Sequence, residues 1–143
     1  MEFKSNQVSR YGAYGIVLSE SKLLLTLKAA GPFKGLWDLP GGSIEFGERP
    51  EEACKRELLE ETALAASQFE LFSIVTFNNE YDNNDGRYAF HHIGIIYKVT
   101  GAVPMANLVA EEEMQWISLC DIKQEELTPF AKHVTKELIT LII

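Results

Sequence analysis

The chain has 143 residues, of which 46% are hydrophobic and 24% charged, an ordinary globular composition that predicts one domain burying about two-thirds of its unfolded surface. Its formal net charge of −8 argues against a general binder of nucleic acid, because no basic stripe is present to displace counterions from phosphates. The opening residues MEFKSNQ lack the apolar run of a signal peptide, and no apolar stretch approaches the length of a membrane span. We therefore expect a cytoplasmic protein with no membrane partner.

The first elements in chain order are predicted strands. Two apolar runs, residues 11–18 and 22–27, are separated by Ser19-Glu20-Ser21, a pattern typical of a hairpin. Residues 28–34 contain Gly31-Pro32 and are predicted to form a loop. Residues 37–40, WDLP, then form a short strand that leads into a diglycine.

A helix is predicted to begin at Pro50, because proline suits a first helical turn, where a missing N–H costs nothing. Cys54, Leu58 and Leu59 lie on one side of this helix, which can therefore pack on a core. Cys54 and Cys120 match neither a zinc spacing nor a disulfide framework, and we interpret Cys54 as a small buried hydrophobe.

Three glutamates share the other face of the same helix. Glu57, Glu60 and Glu61 are spaced i, i+3, i+4 and fall within about one hundred degrees of arc. Like charges at this spacing cost an isolated helix a few tenths of a kcal/mol per pair, so another term has to offset the repulsion. A hard divalent cation such as Mg²⁺ or Mn²⁺ would do so, since it prefers carboxylate oxygens. From the spacing alone, a solvated acidic face is an equally good interpretation.

The middle of the chain is predicted to contain two longer strands. Residues 69–77 and 88–99 have strand-like patterns, and residues 78–87, which include Asn83-Asn84-Asp85-Gly86, are predicted to be a turn-rich hairpin loop. Residues 102–110, with Pro104, are predicted to be another loop.

The last part of the chain is predicted to be a short strand at 113–117, a short helix at 121–127 and a final helix. Thr128-Pro129 supplies an N-cap followed by proline at the first helical position. The apolar stripe expected on the final helix consists of Phe130, Val134, Leu138 and Leu141. Mixed strands with two main helices imply a sheet that is covered on both faces.

A family resemblance rests on the glutamate helix and the segment before it. Gly42, five residues, Glu48, seven residues and then REL-LEE-TAL from Arg56 to Leu64 resemble the Nudix box, the signature of hydrolases acting on nucleoside diphosphates linked to another group. WDLPGG resembles the segment that precedes this box in MutT-like nucleotide hydrolases. The resemblance implies a Nudix-type α/β/α sandwich with a central mixed β-sheet across residues 1–143, with the box at 42–64.

One box position departs from the family pattern. Ala63 stands where the family usually has glycine, at a helix end where a left-handed cap is common. We expect alanine to strain or reshape the turn after the helix and to leave the metal ligands unaffected.

The resemblance also implies roles for the charged positions. The implied metal ligands for Mg²⁺ or Mn²⁺ are one carbonyl and three carboxylates: Gly42, Glu57, Glu60 and Glu61. Arg56 would orient the glutamates through charge-assisted hydrogen bonds, and Glu48 would help the metal shell or place the attacking water. Family members differ in their general base. Glu112, in the acidic run 111–113, is one candidate, and a solvated acidic loop is the alternative.

The candidate contacts to substrate are Lys28, Tyr81, Phe90 and Glu112. Tyr81 lies 17 residues past the box, near where dinucleoside polyphosphate hydrolases of the family carry a tyrosine; an exposed loop aromatic is the alternative. Phe90 could stack on a base or belong to the core, and Lys28 could meet a terminal phosphate or be a plain surface charge. His91 and His92 point to opposite faces of a strand, so at most one lines a cleft.

The function implied by the resemblance is divalent-metal-dependent cleavage of a phosphoanhydride bond in a nucleoside triphosphate or another nucleoside diphosphate linked to a further moiety. The partner would be a small-molecule nucleotide. One alternative is a pyrophosphohydrolase of dinucleoside polyphosphates or of RNA 5′-triphosphates, although the acidic balance disfavours a long RNA. ADP-ribose is also disfavoured, since the proline typical of that branch is missing. A second alternative is a non-catalytic nucleotide-binding sensor. Many small members are dimers, so a homodimer is possible by resemblance.

Overall fold

The computed structural model describes residues 6–83 and 86–142. The strands within these residues are β1 (Gln7–Ser19), β2 (Lys22–Leu27), β3 (Trp37–Asp38), β4 (Gly41–Ser43), β5 (Leu64–Ala65), β6 (Gln68–Asn83), β7 (Gly86–Thr100), β8 (Val103–Pro104) and β9 (Met114–Ser118). Two α-helices accompany them in these ranges, α1 (Pro50–Thr62) and α2 (Pro129–Ile142). No helix in the described ranges has both the length and the apolar character needed to cross a membrane.

The main sheet is mixed. Its strand order is β3-β2-β1-β7-β6, with β4 also pairing with β1 and β9 with β2. β1 and β7 run parallel from Gln7↔Ala89 to Val17↔Val99, whereas β1 pairs with β2 and β4, and β6 with β7, in antiparallel fashion. The short β5 and β8 form a separate antiparallel pair.

Each face of the main sheet carries one helix and one apolar core. Along β2, Leu23 and Leu25 join the core beneath α2, while Leu24 joins the core beneath α1. Phe130 of α2 and Leu58 of α1 are buried in these two cores. The alternation of side chains along a strand therefore supplies both layers at once, and the predicted α/β/α sandwich is confirmed.

The hairpin between β1 and β2 is as tight as its sequence predicts. Ser19 pairs with Lys22, and the two residues between them, Glu20 and Ser21, have φ angles of 52° and 66°. Positive φ at both central positions is the mark of a type I′ turn, whose twist matches that of the flanking strands.

Helix α1 also begins and ends as its residues predict. Pro50 lies in the first turn, and Arg49 precedes it without making a side-chain cap. At the other end Ala63 has φ 59° and ψ 23°, and its N–H donates to the Leu59 carbonyl at 2.9 Å. The turn thus keeps the left-handed shape that glycine would adopt freely, and alanine strains it without reshaping it.

Several expected elements differ from the structure. The hairpin predicted between the two long strands is confirmed, but residues 78–83 and 86–87 form strand and not loop, because β6 and β7 stay paired from Asn78↔His91 as far as Asn83↔Gly86; Asn84 and Asp85 lie outside the described residues. The asparagines and the glycine suggested a turn, but ladder hydrogen bonds satisfy the backbone there instead. The loop predicted at 102–110 contains β8, which is held by pairing with β5.

The end of the chain needs two further corrections. The helix predicted at 121–127 is a pair of short 3-10 turns, Leu119–Asp121 and Gln124–Glu126. Leu141 does not continue the buried stripe of α2, since it is 71% exposed whereas Leu138 is buried. Leu141 lies in the last turn of α2, beyond the part of the helix that the core covers.

Candidate active site

A cavity of about 780 Å³ opens beside the start of β4 and the glutamate face of α1. The residues lining it include carboxylates, aromatic rings and two cationic side chains, namely Arg10, Tyr14, Lys28, Phe33, Asp38, Gly41, Gly42, Glu57, Glu61, Phe77, Phe90, His92, Thr128 and Phe130. We refer to Gly41, Gly42, Glu57 and Glu61 as the carboxylate wall, and to Phe33, Phe77, Phe90, His92 and Phe130 as the aromatic wall.

The diglycine brings the backbone of β4 against two glutamates of α1. The Gly41 N–H donates to Glu61 Oε1 at 2.8 Å. A Cβ atom on Gly42 would lie 2.7 Å from Glu57 Cδ, closer than any side chain tolerates. The absence of a side chain at Gly42 therefore lets the Glu57 carboxylate rest against the main chain.

Arg56 holds the carboxylates around it in a network. Its Nε donates to Glu48 Oε2 at 2.8 Å and its Nη2 to Glu48 Oε1 at 3.0 Å, a bidentate pair. Its Nη1 donates to Glu57 Oε1 at 2.9 Å and reaches Glu60 Oε2 at 3.4 Å. A planar guanidinium suits this geometry because its donors form a rigid fork. Arg56 thus orients Glu57 and is itself fixed by Glu48.

The electrostatics of the glutamates differ sharply. Burial, reinforced by the negative charges of Glu57 and Glu112, raises the pKa of Glu61 to about 8, although the Gly41 N–H and Lys28 oppose the shift. Burial also raises the pKa of Glu57 despite its bond to Arg56. The pKa of Glu48 is lowered to about 2 by its hydrogen bonds from Arg56. Glu57 and Glu61 therefore ionise less readily than free carboxyl groups, mainly because burial disfavours their charged forms.

The donors of the carboxylate wall suit a hard divalent cation. Glu57 and Glu61 offer carboxylate oxygens whose raised pKa values reflect burial and, to a smaller extent, repulsion by neighbouring carboxylates, and an added cation would offset both. Glu60 is not among the cavity-lining residues: its side chain is 44% exposed and pairs with Arg56. As the side chains stand, residues 6–83 and 86–142 contain no group of three His, Cys, Asp or Glu arranged to hold a metal ion.

The aromatic wall is a cluster of rings from four parts of the chain. Phe77 packs edge-on against Phe130 at 4.7 Å and against Phe33 at 5.6 Å between ring centroids. His92 stacks on Phe130 at 5.0 Å with an interplanar angle of 8°. The Arg10 guanidinium lies 5.3 Å from the centre of the Phe90 ring, a cation–π distance.

The predicted substrate contacts have different positions in the structure. Lys28 and Phe90 line the cavity. Glu112 is not among the cavity-lining residues, but its N–H donates to the Glu61 carbonyl at 3.2 Å, so the acidic run lies beside the end of α1. Tyr81 pairs with Tyr88 within the β6–β7 ladder; its side chain lies outside the described part of the structure. Trp37 is half-buried and packs against the core beneath α2.

The two histidines of β7 separate as the strand pattern predicts. His92 is buried and lines the cavity, whereas His91 lines another groove on the surface of the sheet.

Residues that the sequence did not single out complete the cavity. Asp38 is buried, and burial raises the pKa of its carboxyl group. Its Oδ1 accepts hydrogen bonds from the Leu39 N–H at 2.8 Å and the Thr128 hydroxyl at 2.7 Å. Asp38 lies in the WDLP strand and Thr128 is the predicted N-cap of α2, so each had a local signal. Nothing in the sequence indicated that they meet across 90 positions.

Known proteins resemble this chain both in sequence and in fold. The family model described as NUDIX domain matches residues 9–138. A Bacillus subtilis (strain 168) protein provisionally named 8-oxo-dGTP diphosphatase is 35% identical over 107 residues, which is 75% of this chain and 65% of that protein. The ADP-ribose pyrophosphatase of Methanocaldococcus jannaschii is 37% identical over 83 residues, or 58% of this chain and 46% of its own length. The chain thus spans less than two-thirds of either relative.

Solved structures give the same assignment. The crystal structure of a MutT NUDIX hydrolase from Burkholderia pseudomallei matches with a TM-score of 0.75 and 25% identity, covering 92% of this chain and 98% of that one. Because the family model spans nearly the whole chain and the fold matches a MutT structure over nearly its full length, this chain belongs to the Nudix family and is MutT-like.

Proposed function

We propose that the chain hydrolyses a phosphoanhydride bond of a nucleoside triphosphate or a related nucleotide, using a divalent metal. The observation that carries the proposal is the union, in one cavity of about 780 Å³, of a carboxylate wall and an aromatic wall. A nucleotide is a polyphosphate joined to a base. Its polyphosphate requires carboxylates that hold a cation, and its base requires flat apolar rings. Nudix hydrolases generally use divalent metals, which agrees with the donor set.

The cavity favours a small nucleotide over a longer substrate. Its volume lies within the range of about 300 to 1,000 Å³ typical of small-molecule sites. Two cations, Arg10 and Lys28, belong to its lining, and the net charge of the chain is −8. Such a balance favours a compact anion bound locally over a long polyanion held along an extended basic surface.

The metal would be held by Glu57, Glu61 and the Gly42 carbonyl, and Glu60, on the same face of α1, would be a further ligand. When bound, such a cation polarises phosphoryl oxygens and lowers the pKa of a water molecule. Arg56 would keep the Glu57 carboxylate in place through its 2.9 Å hydrogen bond. Glu48, by holding Arg56 in a bidentate pair, would act as a positioning residue.

A carboxylate that is not hydrogen-bonded to Arg56 would accept the proton from the attacking water. An attacking water must lose a proton as its oxygen bonds to phosphorus, and the leaving phosphate or pyrophosphate departs with the electrons of the broken P–O bond. Glu112 is one candidate to accept that proton, since its charge is close enough to raise the pKa of Glu61. Glu61, which lines the cavity, is the alternative if the metal is left to Glu57 and the Gly42 carbonyl. Comparing the pH profiles of Glu61→Gln and Glu112→Gln would separate them.

Lys28 would neutralise part of the substrate's polyphosphate. It lines the cavity, and its charge partly offsets the raised pKa of both Glu61 and Asp38, so its ammonium group lies close to the carboxylate wall. We expect Lys28→Met to raise KM for a triphosphate more than it lowers kcat, because the lost interaction exists in the bound ground state as well.

The test is a product assay on a panel of nucleotides. Canonical and oxidised nucleoside triphosphates, dinucleoside polyphosphates, ADP-ribose and a 5′-triphosphorylated oligonucleotide are each incubated with Mg²⁺, with Mn²⁺ or with chelator, and phosphate and pyrophosphate release are measured. The proposal expects metal-dependent release that is fastest for a nucleoside triphosphate. Tight nucleotide binding that raises the melting temperature with no turnover on any substrate would instead indicate a sensor.

A further inference from the structure

His92 is an unexplained polar group in the wall of the cavity. Its side chain is 8% exposed, and neither Nδ1 nor Nε2 has a hydrogen-bond partner within the described residues. Burying a polar group without a partner costs free energy, so nearly all such groups in folded proteins are satisfied by some partner. A buried imidazole with both nitrogens unsatisfied therefore calls for a partner from outside the chain.

The surroundings of His92 restrict where that partner lies. Its ring stacks on Phe130 at 5.0 Å and contacts Phe77 at 5.2 Å and Phe90 at 4.7 Å. These three rings hold the imidazole in place without offering it a hydrogen-bonding atom. His92 also lines the cavity, but its nitrogens are covered by neighbouring atoms, so a partner in that space would reach them once the adjacent side chains shift.

The charge of the imidazole decides the chemistry of the partner. Burial, helped by the positive charges of Arg10 and Lys28, lowers the pKa of His92 to about 4, so the ring is neutral at physiological pH and carries one N–H donor and one acceptor nitrogen. A phosphate would prefer a cation, and Arg10 and Lys28 supply two in the same lining. A neutral donor and acceptor set among phenylalanine rings suits a flat, uncharged heterocycle.

We propose that His92 hydrogen-bonds the nucleobase of the bound nucleotide and thereby helps to determine which nucleotide the enzyme accepts. This inference rests on the proposed function, because it assumes that a nucleotide occupies the cavity. The aromatic wall would stack on the two faces of the base or close around its edge, while His92 satisfies a donor or acceptor on that edge.

The kinetic test replaces His92 without removing its ring stacking. His92→Phe keeps an aromatic ring on Phe130 but has no polar atom, and His92→Asn restores a donor and an acceptor. His91→Phe is the matched control, since it alters the neighbouring residue, which lines a different groove. Each variant is assayed with Mg²⁺ on the best nucleoside triphosphate and on ribose 5-triphosphate, which has no base.

We expect His92→Phe to lower kcat/KM for the nucleoside triphosphate about tenfold, mainly through KM, as the loss of one net hydrogen bond predicts. His92→Asn should recover part of that loss, and ribose 5-triphosphate should be hydrolysed at the same rate by all variants. Equal losses on both substrates, or no loss on either, would overturn the inference.

A binding measurement separates this inference from the proposed function. The ¹⁵N resonances of the histidine imidazoles are followed during titration with an α,β-methylene nucleoside triphosphate and, separately, with inorganic tripolyphosphate. We expect the His92 nitrogens to shift with the nucleotide and to stay in place with tripolyphosphate, while those of His91 move with neither. Shifts of this kind without turnover would support the base contact and refute hydrolysis. The absence of a nucleotide-specific His92 shift overturns the inference whether or not turnover occurs.

Discussion

The two walls of the cavity are built in opposite ways. The residues of the carboxylate wall all lie between Gly41 and Glu61, in one strand and one helix that follow each other in the chain. The rings of the aromatic wall come from the loop after β2, from β6, from β7 and from α2. The part proposed for chemistry is therefore local in sequence, and the part proposed for recognition exists only after the sheet has formed.

The two walls also depend on different forces. In the carboxylate wall, the half-buried carboxyl groups of Glu57 and Glu61 are held in place by hydrogen bonds from Arg56 and from the Gly41 N–H. In the aromatic wall, the rings are held by packing. Charge changes should consequently act mainly on the first wall and on turnover, whereas changes of ring shape should act on the second wall and on substrate choice.

The largest effect is expected from Glu61→Gln. It removes one negative oxygen donor from the carboxylate wall, and since even residues that only support metal ligands cost about 10- to 100-fold when lost, kcat/KM should fall by about 100-fold or more. Glu52→Gln, an exposed position on the same helix, is the control and should be within twofold of the original chain. A Glu61→Gln variant that keeps full metal-dependent activity would contradict the proposed role.

A smaller loss is expected from Arg56→Lys. Lysine keeps the charge but cannot form the bidentate pair with Glu48 and also bond Glu57, so the glutamates should lose their orientation. We expect kcat to fall by about 10- to 100-fold, with little change in the melting temperature. Lys55→Arg, at the exposed neighbouring position, provides the comparison. Equal activity in both variants would show that orientation by Arg56 is unimportant.

The pH dependence of stability tests the charge of the carboxylate wall directly. In the metal-free protein the pKa of Glu61 is raised from 4.5 to about 8, so its stabilising protonation is complete below pH 4.5 and is lost as the pH rises through 8. We expect the melting temperature to fall by about 3 to 6 °C between pH 6 and pH 8, as 1 to 2 kcal/mol implies for a domain of this size. Glu61→Gln should make the melting temperature less dependent on pH in this range. An unchanged pH dependence would contradict the raised pKa of Glu61.

The smallest effect is expected at Ala63. Its left-handed conformation, with φ 59°, costs an L-residue about 1 kcal/mol relative to glycine. Ala63→Gly should raise the melting temperature by about 3 °C without changing the metal dependence of turnover. A lower melting temperature would mean that alanine stabilises the turn through contacts that outweigh the strain.

The contrast between the walls explains how much of the molecule was predictable from its sequence. The helical period brought Glu57 and Glu61 to one face, and the turn residues predicted the β1–β2 hairpin, because both depend on neighbours in the chain. Glu60 shares that face by period, yet it is more exposed, pairs with Arg56 and does not line the cavity. Strand alternation indicated that at most one of His91 and His92 lines a cleft, but could not say which.

Features that depend on distant pairing were missed for a physical reason. The segment 78–87 has turn-forming residues, but the pairing of β6 with β7 continues through residues 78–83 and 86–87. The Asp38–Thr128 hydrogen bond joins residues 90 positions apart, and they meet because the segment before α2 pairs with β3, where the Thr128 N–H donates to the Trp37 carbonyl at 2.9 Å. Tertiary context outweighs local preference at such positions.

The most direct test of the central claim is whether the carboxylate wall binds a divalent cation. Free Mn²⁺ is titrated by electron paramagnetic resonance against the original chain, the Glu57→Gln/Glu61→Gln double variant and the Glu52→Gln control. We expect the original chain and the control to bind Mn²⁺ at one site, and we expect the double variant to lack this site. Equal binding in all three proteins, or binding in none of them, would contradict it.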